Sequence, residues 1–261
     1  MRLNTTYGDA RIHDQWREVY RSDPRQKRFD DGIYAWLFEK LKPVGRWLDA
    51  GCGSGEHTVQ LASRSEAVLA VDVSPYAVKL AGQNGESRGL AGRVEFRCCG
   101  LEDLGDTGVL DHAHCRGVLM HVPDWRNALA NICSPVRPGG YVVLFEGNCD
   151  SLEAWLVRMA RRLHQPRSRM TRTKDGLEFW SEREGKPFLV RMADREALAR
   201  EMRSNNVVPV FSRTVALFDL NRFPASVRRL ILVFNQLWYR FNLPFGVGFV
   251  IVGQKQSGRP S

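Results

Sequence analysis

No run of apolar residues in this chain of 261 approaches the roughly 18 that a helical membrane span needs. The opening Met1-Arg2-Leu3-Asn4-Thr5-Thr6 places no apolar stretch behind a basic start, so a signal peptide is not expected. The six cysteines (52, 98, 99, 115, 133 and 149) form no CxxC pair, and no histidine cluster stands at metal-ligand spacing. A structural zinc site is therefore not expected. Buried, reduced thiols in a cytoplasmic protein are, with peripheral contact to a membrane left open. Internal repeats are lacking too. An apolar fraction of 43% and seven tryptophans speak against a disordered chain.

Acidic residues are missing from one place in particular. Residues 158–174 carry Arg158, Arg161, Arg162, Arg167, Arg169, Arg172 and Lys174 with no Asp or Glu among them. Residues 1–150 hold 18 Lys+Arg against 20 Asp+Glu, whereas residues 151–240 hold 18 against 9, so the whole excess behind the net charge of +9 is C-terminal. Such asymmetry fits an anionic partner (substrate phosphate or carboxylate, nucleic acid, or a lipid head group) or a solvated basic face.

Aromatic residues at helical spacing predict two opening helices, 10–21 and 25–42, with Pro43 and Gly45 ending the second. A strand-then-helix rhythm follows. Strands are predicted at 46–50, 67–73, 93–98, 111–115 and 141–146, and helices at 58–63, from Pro75 behind Ser74, and at 124–134. That alternation implies α/β architecture with a parallel sheet. After Gly147 the rhythm breaks: a basic amphipathic helix spans 151–164, a polar stretch runs to about 192, and a helix covers 194–204. A strand at 207–218, a basic aromatic helix at 225–241 and a strand at 246–254 close the chain. The division expected is an N-terminal helical cap (1–45), a sheet domain (46–254) with an insertion at about 147–195 as substrate lid, and a tail (255–261).

The segment Asp49-Ala50-Gly51-Cys52-Gly53-Ser54-Gly55 places glycines where a chain must turn from strand to helix and let a ligand touch its backbone. An acid at the strand end would repel the pyrophosphate of a dinucleotide. The third glycine of a dinucleotide fingerprint would also fall on Glu56. A ligand with a cationic amino group and a sulfonium, such as S-adenosylmethionine (SAM), would be favoured instead. Asp72 ends the second strand, where a carboxylate can accept both hydroxyls of a ribose.

Four motifs in this order, Leu48-Asp49-Ala50-Gly51-Cys52-Gly53-Ser54-Gly55, Val71-Asp72-Val73-Ser74, Gly117-Val118-Leu119-Met120-His121-Val122-Pro123-Asp124 and Arg137-Pro138-Gly139-Gly140, resemble the class I SAM-dependent methyltransferases. The nearest group in flavour is the ubiquinone/menaquinone-methyltransferase-like one, over roughly residues 25–150. The resemblance implies a Rossmann-like seven-stranded sheet of order 3-2-1-4-5-7-6 with its seventh strand antiparallel. It implies cofactor contacts at Asp49, Gly51, Cys52 and Gly53, ribose contact at Asp72, adenine packing by Val73 and a methionine-side contact near Arg116. The family's usual Asp after the third strand is Gly100 here, which leaves Leu101 or Glu102 to act through backbone groups. Metal-using members carry an acid directly before the motif histidine. Met120 stands there, so no metal is expected.

Methyl transfer to a hydroxyl needs a base, and His121 is the first candidate, ahead of His13, His114 and Glu146. Arg28 and Arg25 on the cap are candidates for the SAM carboxylate or an acidic substrate. The helix at 225–241 suits an anionic membrane surface, a pocket cover, or packing on the sheet. The expected function is SAM-dependent methylation of a small or lipid-linked anionic acceptor, at oxygen. A tRNA wobble-uridine carboxyl methyltransferase and a non-catalytic SAM-binding protein are the alternatives.

Overall fold

Trp47 and Leu48 are neighbours in sequence, point to opposite faces of one sheet and are both buried. The same holds for Val143 and Leu144 and for Val250 and Ile251, because successive strand residues alternate between faces. A sheet buried on both sides needs a helical layer on each, which is what the strand–helix rhythm supplies.

The computed structural model describes residues 14, 24–90, 92–164, 169–183, 186–220 and 223–257. Helix α1 (Pro24–Leu41) precedes β1 (Arg46–Ala50), α2 (Glu56–Ala62), β2 (Ala67–Asp72), α3 (Pro75–Glu86) and β3 (Val94–Cys98). Then come β4 (His112–Arg116), α4 (Trp125–Cys133) and β5 (Tyr141–Gly147). The C-terminal part contains α5 (Leu152–His164), β6 (Arg169–Thr173), β7 (Gly176–Arg183), β8 (Lys186–Ala193), α6 (Arg195–Ser204), β9 (Val207–Ala216), α7 (Ala225–Phe241) and β10 (Gly248–Lys255). Of the helix expected at 10–21 only Asp14 is described, and His13, Arg167 and Arg222 lie outside the described residues.

The main sheet has the order β3-β2-β1-β4-β5-β10-β9. β1 to β5 are parallel, and β10 is antiparallel to both β5 and β9, as the resemblance implied. One core layer groups Leu48, Leu69, Leu129, Leu144 and Phe249 under α4 and α6. The other packs Trp47, Val143 and Val250 against Ile33, Tyr34 and Leu37 of α1. Truncating any of the fully buried leucines to alanine would cost about 2–5 kcal/mol. Ser74, Asp124 and Asp194 cap α3, α4 and α6 by accepting the N–H groups of Ala77, Asn127 and Ala197.

Two expectations change. The polar stretch before residue 192 is a separate antiparallel sheet of order β6-β7-β8. Its charged residues obscure the two-residue period; Glu178 and Arg191, for instance, face each other across β7 and β8 as an ion pair at 3.1 Å. The cysteines are not uniformly buried either: Cys98 is exposed and Cys99 half-buried, because β3 is an edge strand.

Candidate active site

The carboxyl ends of β1, β2, β4 and β5 converge on one edge of the sheet, around the point where the strand order reverses between β1 and β4. Open α/β sheets hold their ligands there. Gly51, Gly53 and Gly55 all take left-handed φ angles, +79°, +52° and +81°. At Gly51 a Cβ would lie 2.3 Å from a methyl group of Val118, so only glycine lets the β1 turn meet the loop after β4. At Gly53 a Cβ would meet nothing within 4 Å. The turn is open at that one position, as a backbone that receives a ligand must be.

Asp72 closes β2 beside this opening. Its Oδ2 accepts the Gly53 N–H at 2.9 Å and its Oδ1 accepts the Ser74 N–H at 2.9 Å. The carboxylate thus locks the turn. Val73, half-buried, follows it. Cys52 is buried, and burial, with Asp72 and Asp49 nearby, pushes its thiol well above the ordinary range. It is a small apolar filler here.

Asp49 is 1% exposed, and its carboxylate faces the interior. One oxygen accepts from Thr58 Oγ1 at 2.6 Å and the other meets His114 Nδ1 at 2.9 Å. His114 Nε2 in turn meets the Tyr34 hydroxyl of α1 at 2.9 Å. At the end of β4, Arg116 pairs with Asp30 of α1 at 2.9 Å and lies over the Phe145 ring. Asp49 and Arg116 therefore both tie the sheet to α1. Arg28 and Arg25 are exposed on that helix.

Leu101 and Glu102 form a 3-10 turn with Asp103, and the carbonyls of both accept from the side-chain amide of Asn131. Their backbone is thereby fixed next to the end of β3. His121 closes a second 3-10 turn, Leu119–His121. Its Nδ1 stands 2.9 Å from the Leu189 carbonyl, which puts the ring proton on Nδ1 and the basic lone pair on Nε2.

The insertion holds this loop. Arg191 of β8, 5% exposed, donates through Nη1 to the carbonyls of Leu119 (3.2 Å) and Val122 (3.0 Å) while its Nε pairs with Glu178. On the far side, Asp175 accepts from Arg126 and from the Trp125 indole. The small sheet is thus bolted to the β4 loop and to α4. Neither Arg191 nor Tyr34 stands out in the sequence. The Asp175-Gly176 pair at the β6–β7 turn was the signal that could have revealed the hairpin.

Glu146, at the end of β5, lies beneath the same loop, 5% exposed and with no hydrogen-bond partner within normal reach. Burial raises its pKa to about 8, against the lowering effect of the Leu119 N–H and Arg191 nearby. Its carboxyl faces the loop backbone, where burial favours the protonated form. His114 is committed to Asp49 and Tyr34. Cys149 and Asp150 join the distant Asp194 to bring three ligand-type atoms within 4.8 Å of one another. Arg172 pairs with both acids, at 3.2 Å from Asp150 and 3.7 Å from Asp194.

Residues 48–144 match the family described as "Methyltransferase domain". Among curated proteins, the ubiquinone biosynthesis O-methyltransferase of Xanthomonas axonopodis pv. citri is 34% identical over 112 residues, 42% of this chain and 46% of that protein. The tRNA 5-carboxymethoxyuridine methyltransferase of Escherichia coli K12 is 29% identical over 137 residues, 46% of this chain and 52% of that protein. The matches thus span about half the length of these relatives. Among solved structures, magnesium protoporphyrin IX methyltransferase from Synechocystis PCC 6803 with bound SAH shares the fold with a TM-score of 0.64 and 17% identity, over 96% of this chain and 97% of that one. An S-adenosylmethionine-dependent methyltransferase from Clostridium acetobutylicum gives a TM-score of 0.61 at 13% identity, over 94% and 100%. Residues 48–144 match a methyltransferase domain, and the chain around them completes the seven-stranded Rossmann-like fold that these solved methyltransferases share.

Proposed function

We propose that this chain transfers the methyl group of SAM to a small or lipid-linked anionic acceptor, at oxygen. The observation that carries the reading is the pairing of Asp72 with the Gly53 turn. A carboxylate that holds two backbone N–H groups, next to a left-handed glycine with open space in front of it, suits a ribose and not a pyrophosphate. When bound, SAM supplies an electrophilic methyl group on a sulfonium.

The chain's residues then divide the work. Asp72 would hold the ribose hydroxyls and Val73 the adenine face. The backbone of Gly51 and Gly53 would line the methionine side, and Asp49 would keep that turn in place through Thr58 and His114. Arg28 would meet the SAM carboxylate from the α1 side. His121, with its lone pair on Nε2, would take the acceptor's proton. Holding an acceptor in line within about 3–3.5 Å of the methyl carbon supplies much of the rate. The name of the Xanthomonas relative supports an oxygen acceptor. The E. coli relative, with the acid-free basic run at 158–174, supports tRNA as the second reading.

Calorimetry with SAM, S-adenosylhomocysteine and NAD tests the cofactor. Micromolar binding of the first two and none of the third is expected, and preferential NAD binding would overturn the reading. Replacing His121 by alanine should lower kcat by about 10²–10⁴ with cofactor affinity unchanged. Activity is expected to persist in chelator, because Met120 stands where metal-using members carry an acid.

A further inference from the structure

Helix α7 buries one side and leaves an apolar stripe on the other. Leu232 and Asn235 face inward, and Asn235 Oδ1 accepts the N–H groups of Leu217 and Phe218. Tyr239 packs on Phe29 and Trp36 of α1. Val227, Leu230, Phe234, Leu237 and Phe241 recur every three or four residues on the outer side, and all are exposed, Leu230 to 58% and Phe241 to 62%. Helix α5 repeats the pattern with Leu152, Trp155, Leu156 and Met159, Trp155 being 53% exposed.

The two helices lie on one side of the molecule. The Leu152 N–H at the start of α5 donates to the carbonyl of Phe245, itself exposed, just past α7. The segment between β9 and α7 is held by both helices, through Glu153 on Asp219 and through Asn235 on Leu217 and Phe218. This face also borders the carboxyl end of β5, where Asn148 bonds to Gly246.

We propose that α5 and α7 form a docking face for the surface of an anionic lipid bilayer. Charge complementarity selects that occupant. Helix α7 exposes Arg229 and Arg240 and carries no acid, and α5 carries Arg158, Arg161 and Arg162 against one acid, the buried Glu153. A second copy of the chain on this face would oppose cation to cation. An apolar stripe flanked by arginines seats in the headgroup layer, with apolar side chains about 5–10 Å deep and the guanidinium groups at the phosphates. No described helix is long and apolar enough to cross a membrane, so the chain lies on the bilayer. Docked this way, the face meets the lipid at the carboxyl edge of the sheet, on the β5 side, and an amphiphilic acceptor would enter from there.

Co-sedimentation of the full chain with vesicles of phosphatidylcholine, with and without one quarter phosphatidylglycerol, tests this independently of methyl transfer. Binding to the anionic vesicles is expected, with at least tenfold loss in the double variant Leu230→Asp/Leu237→Asp and a smaller loss in Arg229→Gln/Arg240→Gln. Both pairs are exposed, so circular dichroism melts and S-adenosylhomocysteine affinity should match the wild type. Absence of vesicle binding, or equal binding by the Asp variant, overturns the proposal. So does a dimer that the Asp variant splits without any vesicle binding, or a tRNA mobility shift that it abolishes in the same circumstance.

Discussion

Asp49 and His114 sit on adjacent strands, one residue opposite the other in the β1–β4 register, and their side chains meet at 2.9 Å in a layer that is almost wholly buried. His114 bridges the two elements, Nδ1 against the carboxylate and Nε2 at 2.9 Å from the Tyr34 hydroxyl, so every member of the chain Thr58–Asp49–His114–Tyr34 has a hydrogen-bond partner. Tyr34 stays protonated because burial raises its pKa far above the ordinary range. The motif acid of the glycine turn is thereby joined to the helix that covers the site.

Tyr34→Phe keeps the ring and removes the hydroxyl that His114 Nε2 meets. Leaving a buried polar group unpaired costs about 1–3 kcal/mol, and for a domain of this size each kcal/mol lowers the melting midpoint by about 2–4 °C. A thermal melt should therefore show a fall of several degrees. An unchanged midpoint would mean that the Tyr34 hydroxyl has other company.

Asp72→Ala releases the Gly53 and Ser74 N–H groups together with the proposed ribose acceptor. Cofactor binding measured by calorimetry should weaken by about 1–3 kcal/mol, roughly five- to 150-fold. Asp72→Asn should fall between the two, since an amide offers one acceptor oxygen for two donors. Wild-type affinity in both variants would remove Asp72 from the site.

Glu146 supplies a pH signature. Its ordinary pKa of 4.5 is raised to about 8 in the folded chain by burial, so folding takes up a proton between those values. The associated stability is fully present below pH 4.5 and is lost as pH rises towards 8, by an amount on the order of a few kcal/mol. Denaturant unfolding at pH 5.5 and 8.5 should show the wild type losing more stability on alkalinisation than Glu146→Gln, whose side chain stays neutral. Parallel losses in the two proteins would mean that Glu146 is ionised in the folded state.

The sheet was legible because β2 and β5 are short apolar runs between turn residues and the strands alternate with helices, a rhythm that places β3 and β4 despite their polar residues. The cofactor turn was legible because glycine at φ values near +50° to +80° is nearly obligatory there. Arg191 and Tyr34 were not. Each acts through a partner 68 or more residues away, His114 for Tyr34 and the Leu119–Val122 carbonyls for Arg191, and no local pattern encodes such a meeting. The small sheet was hidden for a related reason: Glu178 and Arg191 satisfy each other inside it, so charges that look solvated in the sequence are half-buried or buried.

That pairing yields the last prediction. Arg191 holds the His121 loop by its carbonyls from a sheet that lies in the insertion, so it should govern where the proposed base stands and leave the cofactor turn alone. Arg191→Lys preserves the charge, but one ammonium cannot reproduce the planar fork that serves two carbonyls and Glu178 at once. Methyl transfer by this variant should fall at least tenfold in kcat, with S-adenosylhomocysteine affinity within twofold of wild type. A purely structural role would instead lower the melting midpoint and leave the kcat of the folded fraction intact. Arg191→Ala should be worse, since it strands Glu178 and removes a buried ion pair at a cost of about 3–5 kcal/mol. Adding Glu178→Gln to it should recover part of that loss, because the carboxylate left unpaired is then gone; a double variant no more stable than Arg191→Ala would show that the two residues are not coupled.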